Sequence, residues 1–190
     1  MALAYADSEV QFEVFEHFPK QTFRNRTRIL GANGIETLTV PIVHRRGSKQ
    51  LTKDVQVDYS QDWIRRHQGA IQAAYGNAPF YEHFEPFIHQ IFAKKSKFLV
   101  DLNIHYFNFL TKVLGKTLPH SFTEEFLDQG GDSKWNLLHA KENWDKRLNY
   151  KNTPYRQCFG TRFEPNLSVL DLVMNHGNES YDILMQSLNK

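Results

Sequence analysis

KQTFRNRTRILGANGIETLTVP, residues 20–41, holds two extended runs separated by Gly31, Ala32, Asn33 and Gly34. Asn-Gly is a strong turn signal because both residue types accept positive φ. The stretch therefore predicts an antiparallel hairpin near the N-terminus, with Leu38, Val40 and Ile42 on the buried face of its second arm. Pro41 removes a ladder donor and so marks an edge position or the strand's end. In the first arm, Arg24, Arg26 and Arg28 fall on one face of an extended chain, and Phe23, Asn25 and Thr27 on the other.

Outward from the hairpin, the chain alternates between strand-like and helix-like periodicity. Residues 8–15 alternate, with Val10, Phe12 and Val14 on one parity, and residues 54–59 do so with Val55, Val57 and Tyr59. Three amphipathic helices follow. The first begins near Gln61, capped by Asp58 or Ser60, carries Ile64, Ile71, Ala74 and Tyr75, and ends at Gly76 and Asn77. The second starts around Pro79 with Phe80, Phe84, Phe87, Ile88 and Ile91 inward. The third is capped by Ser96 and runs to Leu114 with Leu99, Leu102, Tyr106, Phe109, Leu110 and Val113 inward. Residues 119–150 carry little pattern. Beyond them come a short strand over 155–159, a helix over 167–175 and a last helix over 179–188. The fold class expected is α/β, a mixed sheet with its hairpin packed by several amphipathic helices, in a single domain spanning 1–190.

Composition agrees. A chain of 190 residues with 14% aromatics buries roughly 70% of its unfolded surface and needs no disulfide staple. Cys158 is the only cysteine, which excludes an internal disulfide and a cysteine-based zinc knuckle. No window approaches a membrane-spanning apolar run, and the N-terminus lacks the basic and apolar regions of a secretory signal. A cytoplasmic protein is the expectation. The balance of 23 Lys+Arg against 21 Asp+Glu is too even for a general nucleic-acid binder.

Chemistry is therefore sought locally. A row of guanidiniums repels itself unless an anion or acid meets it. Arg24, Arg26 and Arg28 could bind a phosphate or carboxylate through bidentate forks, with Lys20 and Gln21 as further donors. The alternative is a strand face neutralised by Glu13, Glu16 or Glu36. His44, Arg45, Arg46, Lys49 and Lys53 form a second basic cluster, which reads as a solvated loop unless it folds beside the arginines. On the third helix, Asp101, His105 and Asn108 share a face. That pattern suits an Asp-oriented general base or a solvated stripe, and no third metal ligand accompanies it. Asn103 flanks the apolar side of the same helix. Near the C-terminus Asn166 is the expected helix cap, with Ser168, Asp171 and Asn175 on one face. Asp171 lies among apolar neighbours and would need a basic partner, an arginine of the ladder being the obvious one. Cys158 reads as core. Dinucleotide, Walker A, zincin and nucleophile-elbow motifs are absent, and nothing identifies a cofactor.

The chain resembles the WbqC-like family of bacterial proteins. The resemblance rests on HFPKQTFRNR (17–26), ILGANG (29–34), LTVP (38–41), KDV (53–55), DYSQDW (58–63), AY (74–75), PF (79–80), DLN (101–103) and PNLSVLD (165–171). It implies a cytoplasmic α/β protein, a transferase-like participant in cell-surface polysaccharide assembly of the O-antigen kind. Family members carry a further strand and a Pro- and Tyr-containing turn ahead of the position of residues 2–7, so the resemblance also implies a chain shortened at its N-terminus.

Three functions are consistent with these residues. One is an enzyme acting on a phosphorylated or nucleotide-activated sugar. Arg24, Arg26, Arg28 and Lys20 would bind its phosphates, Asn25 and Asn166 would orient it, and Asp171 or His105 would serve as acid/base. The second is a non-catalytic module that binds anions or nucleic acid on the same basic face. The third is an interaction protein, compatible with an oligomer, whose arginines meet an acidic partner surface.

Overall fold

The computed structural model describes residues 1–5, 9–19, 22–43, 49–127, 151 and 153–188. Within them the order is α1 (Ala2–Tyr5), β1 (Val10–Phe12), β2 (Arg26–Gly31), β3 (Gly34–Thr39), a 3-10 turn at Thr52–Asp54, α2 (Trp63–Tyr75), α3 (Tyr81–Ala93) and α4 (Leu99–Val113). Then follow β4 (His120–Phe122), α5 (Val169–His176), a 3-10 turn at Gly177–Glu179 and α6 (Ser180–Gln186). This is the mixed α/β architecture that the periodicities predict.

The hairpin forms as read. β2 and β3 pair antiparallel with Gly31 opposite Gly34. Gly34 supplies the positive φ of the turn, 104°, while Asn33 keeps a negative one. β3 stops at Thr39, just before Val40 and Pro41. There the Val40 amide donates to the Asn25 carbonyl at 2.8 Å, and the Asn25 side-chain amide donates to the Val40 carbonyl at 3.0 Å. Asn25 thereby closes the open end of the hairpin. Leu38 is buried and Val40 and Ile42 are partly so, as their parity requires.

The two other predicted strands are modified by their partners. Only Val10–Phe12 of the first is a strand, and it pairs in parallel with β4. Its continuation changes partner, with Lys53 donating to the Val14 carbonyl, Thr52 to that of Glu16 and Phe18 to that of Gln50. Residues 55–58 are extended but form isolated bridges, Ile42 with Val57 and Gln56 with Phe98. They thread between 41–43 and 97–99.

Helices α2, α3 and α4 carry the core. Trp63, His67, Ile71, Ala74 and Tyr75 are the buried face of α2, and Tyr81, Phe84, Ile88, Ile91 and Phe92 that of α3. Phe87, expected inward, is exposed. Their caps differ from expectation. Neither Asp58 nor Ser60 caps α2, whose N-cap is Asp62; the Asp58 carboxylate instead accepts from the Ser60 amide. Ser96 does not cap α4, whose N-cap is Phe98; Ser96 is buried and its carbonyl accepts the Tyr59 hydroxyl at 2.9 Å. Residues 155–159 are not a strand. Among the described residues, no helix is long and apolar enough to cross a membrane.

Candidate functional site

β2 is held between two neighbours that bear on function. It packs against α2, and the Arg28 carbonyl accepts the Ser168 amide at 2.8 Å, which fixes the start of α5 beside the arginine strand. Ser168, not Asn166, caps α5: its hydroxyl accepts from the Leu170 amide at 3.2 Å. Asn166 lies just before, at a left-handed φ of 56°, a conformation that Asn tolerates better than most side chains.

The three arginines do not behave alike. Arg24 precedes β2, in a turn, and its guanidinium grips Glu16; Nε lies 2.6 Å from Oε1. Its carbonyl accepts from Asn103 at 2.9 Å, which gives that exposed α4 side chain a structural role. Glu16 also takes the Thr52 hydroxyl at 3.3 Å. Burial pushes the Glu16 carboxyl up, against the pull of Arg24 and Thr52. The neutralised-face reading thus holds for Arg24. It does not extend to Arg26 and Arg28, which lie opposite Thr39 and Thr37, while Glu36 lies opposite Ile29 on the other face. Arg26 Nε is buried without a hydrogen-bond partner. Lys20, Gln21 and the cluster at His44, Arg45 and Arg46 lie outside the described residues. Lys49 is exposed, and Lys53 places its ammonium 3.6 Å above the Phe15 ring.

Substituting Arg24 by Ala removes the cation from a carboxylate whose side chain is 3% exposed. The expected loss at neutral pH is about 2 kcal/mol, below the full cost of breaking a buried pair because Arg24 itself keeps some solvent contact. Without Arg24 the raised Glu16 pKa rises further. A carboxyl raised in the folded state favours folding at low pH and loses that contribution as pH rises through its folded pKa. The deficit of Arg24→Ala therefore shrinks on acidification, which urea denaturation at several pH values would measure.

Asp171 is fully buried. Its Oδ2 accepts the Tyr155 hydroxyl at 2.9 Å and Gln157 Nε2 at 3.1 Å, so its expected arginine partner is replaced by a phenol and an amide. Oδ1 and the buried Tyr75 hydroxyl make no hydrogen bond of ordinary geometry, although Tyr75 lies near enough to act on the Asp171 carboxyl. Burial raises the Asp171 pKa, opposed by Tyr155, Gln157, Tyr75 and His176. Asn175, one turn on, donates to the Asp171 carbonyl at 2.8 Å and accepts the Cys158 thiol at 3.3 Å. His176 Nε2 lies 3.2 Å from the Arg156 carbonyl. The polar stripe of α5 is therefore an internal docking face for the segment from residue 155 onward. Cys158 is half-buried, and burial followed by Asp171 raises its pKa, so the thiol form is favoured.

His105 is elsewhere. It is half-buried on α4, one turn beyond exposed Asp101, and burial and Lys94 lower its pKa while Asp101 opposes them. Its charged neighbours are not those of Asp171, so the two acid/base candidates occupy separate environments. An open depression on α2, lined by Gln61, Asp62, Arg65, Arg66 and Gly69, contains none of the predicted site residues. Among the described residues, no three His, Cys, Asp or Glu side chains are grouped to hold a metal ion.

Sequence reasoning missed Tyr75, Tyr155 and Gln157. The signal was available in α5. Five consecutive buried residues, Leu170 to Met174, leave that helix no solvated side at Asp171, so the carboxylate must meet an internal polar partner.

The chain is similar to the uncharacterised protein Rv1507c of Mycobacterium tuberculosis, 24% identical across 96% of this chain and 89% of that protein. No solved structure matches it. The WbqC-like protein family matches residues 2–148 and 143–183, nearly the whole length. The hairpin with its arginine strand and the Ser168-capped α5 both lie inside the matched residues, and the chain belongs to the WbqC-like protein family.

Proposed function

We propose that this protein is a transferase-like enzyme acting on a phosphorylated small molecule, a nucleotide-activated sugar, in cell-surface polysaccharide biosynthesis. The observation that carries the reading is the outer face of the hairpin. Arg26 and Arg28 stand there opposite threonines, and the buried Arg26 Nε has no partner. A phosphate would complete that arrangement: it accepts from guanidinium forks, and Thr37 and Thr39 offer hydroxyl donors beside them. Arg24, committed to Glu16, stands behind this face as support. Asp171 is the acid/base candidate, on the helix whose start is joined to the same strand through the Ser168–Arg28 bond.

Thermal unfolding against a panel of UDP-, GDP-, dTDP- and CMP-linked sugars tests the reading. A true ligand at 100 times its Kd adds about 2.7 kcal/mol to stability. For a chain of this size that raises Tm by roughly 5–10 °C. Arg26→Ala is expected to abolish the rise, and a flat response across the panel would remove the proposal.

The burial of Asp171 favours a second reading, a non-catalytic anion- or nucleic-acid-binding module on the same face. It predicts oligonucleotide affinity that falls steeply with salt. Lack of binding even at low ionic strength would exclude it.

A further inference from the structure

We propose that residues 155–164 form a hinged flap over Asp171, which opens to offer the carboxylate to a hydroxyl group of the ligand. The inference rests on the reading of Asp171 as part of the site that begins at Arg26 and Arg28.

The flap is closed on itself. Gln157 donates from Nε2 to the Glu164 carbonyl at 2.9 Å and accepts at Oε1 from the Glu164 amide at 2.8 Å, so one side chain clamps both ends. Tyr155 and Phe163 meet edge to face at 4.9 Å across the same base. A segment without helix or strand that carries its own closing contacts moves as a unit. Its tip, Gly160, Thr161 and Arg162, is exposed, and Gly160 takes φ 86°.

Its attachment to α5 combines the packing of Tyr155 and Cys158 against the core with a set of polar contacts. Asp171 holds Tyr155 and Gln157, Asn175 holds the Cys158 thiol, and His176 meets the Arg156 carbonyl. Polar contacts of this kind exchange for water or ligand at little net cost, whereas an apolar plug would not. The flanks fit hinges. Pro154 precedes the flap, and Pro165 with left-handed Asn166 joins it to α5. A carboxylate that now accepts from a phenol and an amide is matched, once they withdraw, to a hydroxyl donor. It is not matched to a phosphate, whose charge it repels. The sugar, not its diphosphate, is thus the part of the ligand that Asp171 would meet.

Two experiments decide this. Hydrogen–deuterium exchange should find the amides of 155–164 exchanging roughly tenfold or more faster than those of α5, by a local opening. Exchange of both segments in a single global event would overturn the flap. For the gate, Asn175→Cys places a thiol beside Cys158, the only native cysteine, to form a disulfide that ties the flap shut. The ligand-dependent Tm rise should vanish in the oxidised variant and return on reduction. A rise that survives oxidation would overturn the gate alone. No rise in the wild type with any sugar nucleotide would overturn both the reading of the arginine face and the gate built on it, while the exchange data still decide whether the flap opens. Gln157→Ala, which cuts the clamp, should accelerate exchange at 155–164 and leave α2–α4 unchanged; unaltered exchange there would exclude the clamp.

Discussion

Gly177→Ala is expected to lower the unfolding free energy by about 4 kcal/mol, the sum of overpacking and of an unsuitable φ. Gly177 ends α5 at φ 52°, ψ −122°, a conformation that side-chain-bearing residues rarely adopt. A Cβ there would lie 2.4–2.7 Å from three atoms of the Phe80 ring. The ring cannot simply retreat. Its backbone amide donates to the Met174 carbonyl at 3.1 Å, and its face stacks on Phe84 at 6.2 Å. On the other side of the turn, buried Ser180 donates to the Leu172 carbonyl at 3.2 Å and holds α6 in place. For a chain of this length the loss corresponds to a Tm lower by roughly 8–16 °C. The double variant with Phe80→Ala separates the two causes. If the clash dominates, the double variant loses less than the sum of the singles; strict additivity would leave only the φ term.

That corner also marks how far the sequence could be read. Where the pattern is local the main elements hold, although Phe87, inward by its spacing, is exposed. The hairpin follows from Asn33-Gly34 and the alternation of Leu38, Val40 and Ile42. The main helices follow from apolar residues three and four apart, such as Phe84, Ile88 and Ile91. Gly177 is visible as the stop of α5. Most of the other failures are non-local. β1 and β4 pair Val10 with His120, and the three residues of β4 are too few to display an alternation. Caps went wrong because Ser96 and Asn166 have the right chemistry, while tertiary contacts settle where each helix begins. Asp171 was assigned an arginine because charge complementarity is the only partner rule that a linear sequence offers. The phenol and amide that hold it arrive from a segment with no periodicity. The arginine ladder divided for a similar reason: strand parity equates Arg24 with Arg26 and Arg28, yet β2 begins only at Arg26, so Arg24 is free to turn toward Glu16.

Asp171 is where stability and function are expected to pull apart. In Asp171→Leu, the Tyr155 hydroxyl loses the carboxylate as an acceptor and Gln157 Nε2 keeps the Glu164 carbonyl. Removing the acceptor shared by these two part-buried donors should cost about 3–4 kcal/mol, including the misfit of the larger apolar group. Asp171→Asn is the informative contrast. Its amide oxygen can still accept from Tyr155 and Gln157, and its amide nitrogen can face the nearby Tyr75 hydroxyl oxygen. With the buried charge gone, Asp171→Asn should match or exceed the wild type by about 1 kcal/mol at neutral pH. The sign of the pH dependence follows from the raised carboxyl. The folded wild type binds this proton more tightly than the unfolded chain, so this group's contribution to stability is greatest in acid. It falls as pH rises from the unfolded pKa, near 4, through the folded value. Asp171→Asn should lack that decline. Tm measured from pH 4 to 8 on both proteins reads the difference directly. A wild type that instead gains stability over this window relative to Asp171→Asn would mean that the carboxylate is held as a favourable charge. If the expected decline is found, the negative charge at Asp171 lowers stability where an isosteric amide would not. A stability cost of that kind is what the proposed role of Asp171, accepting a ligand hydroxyl once Tyr155 and Gln157 let go, would entail.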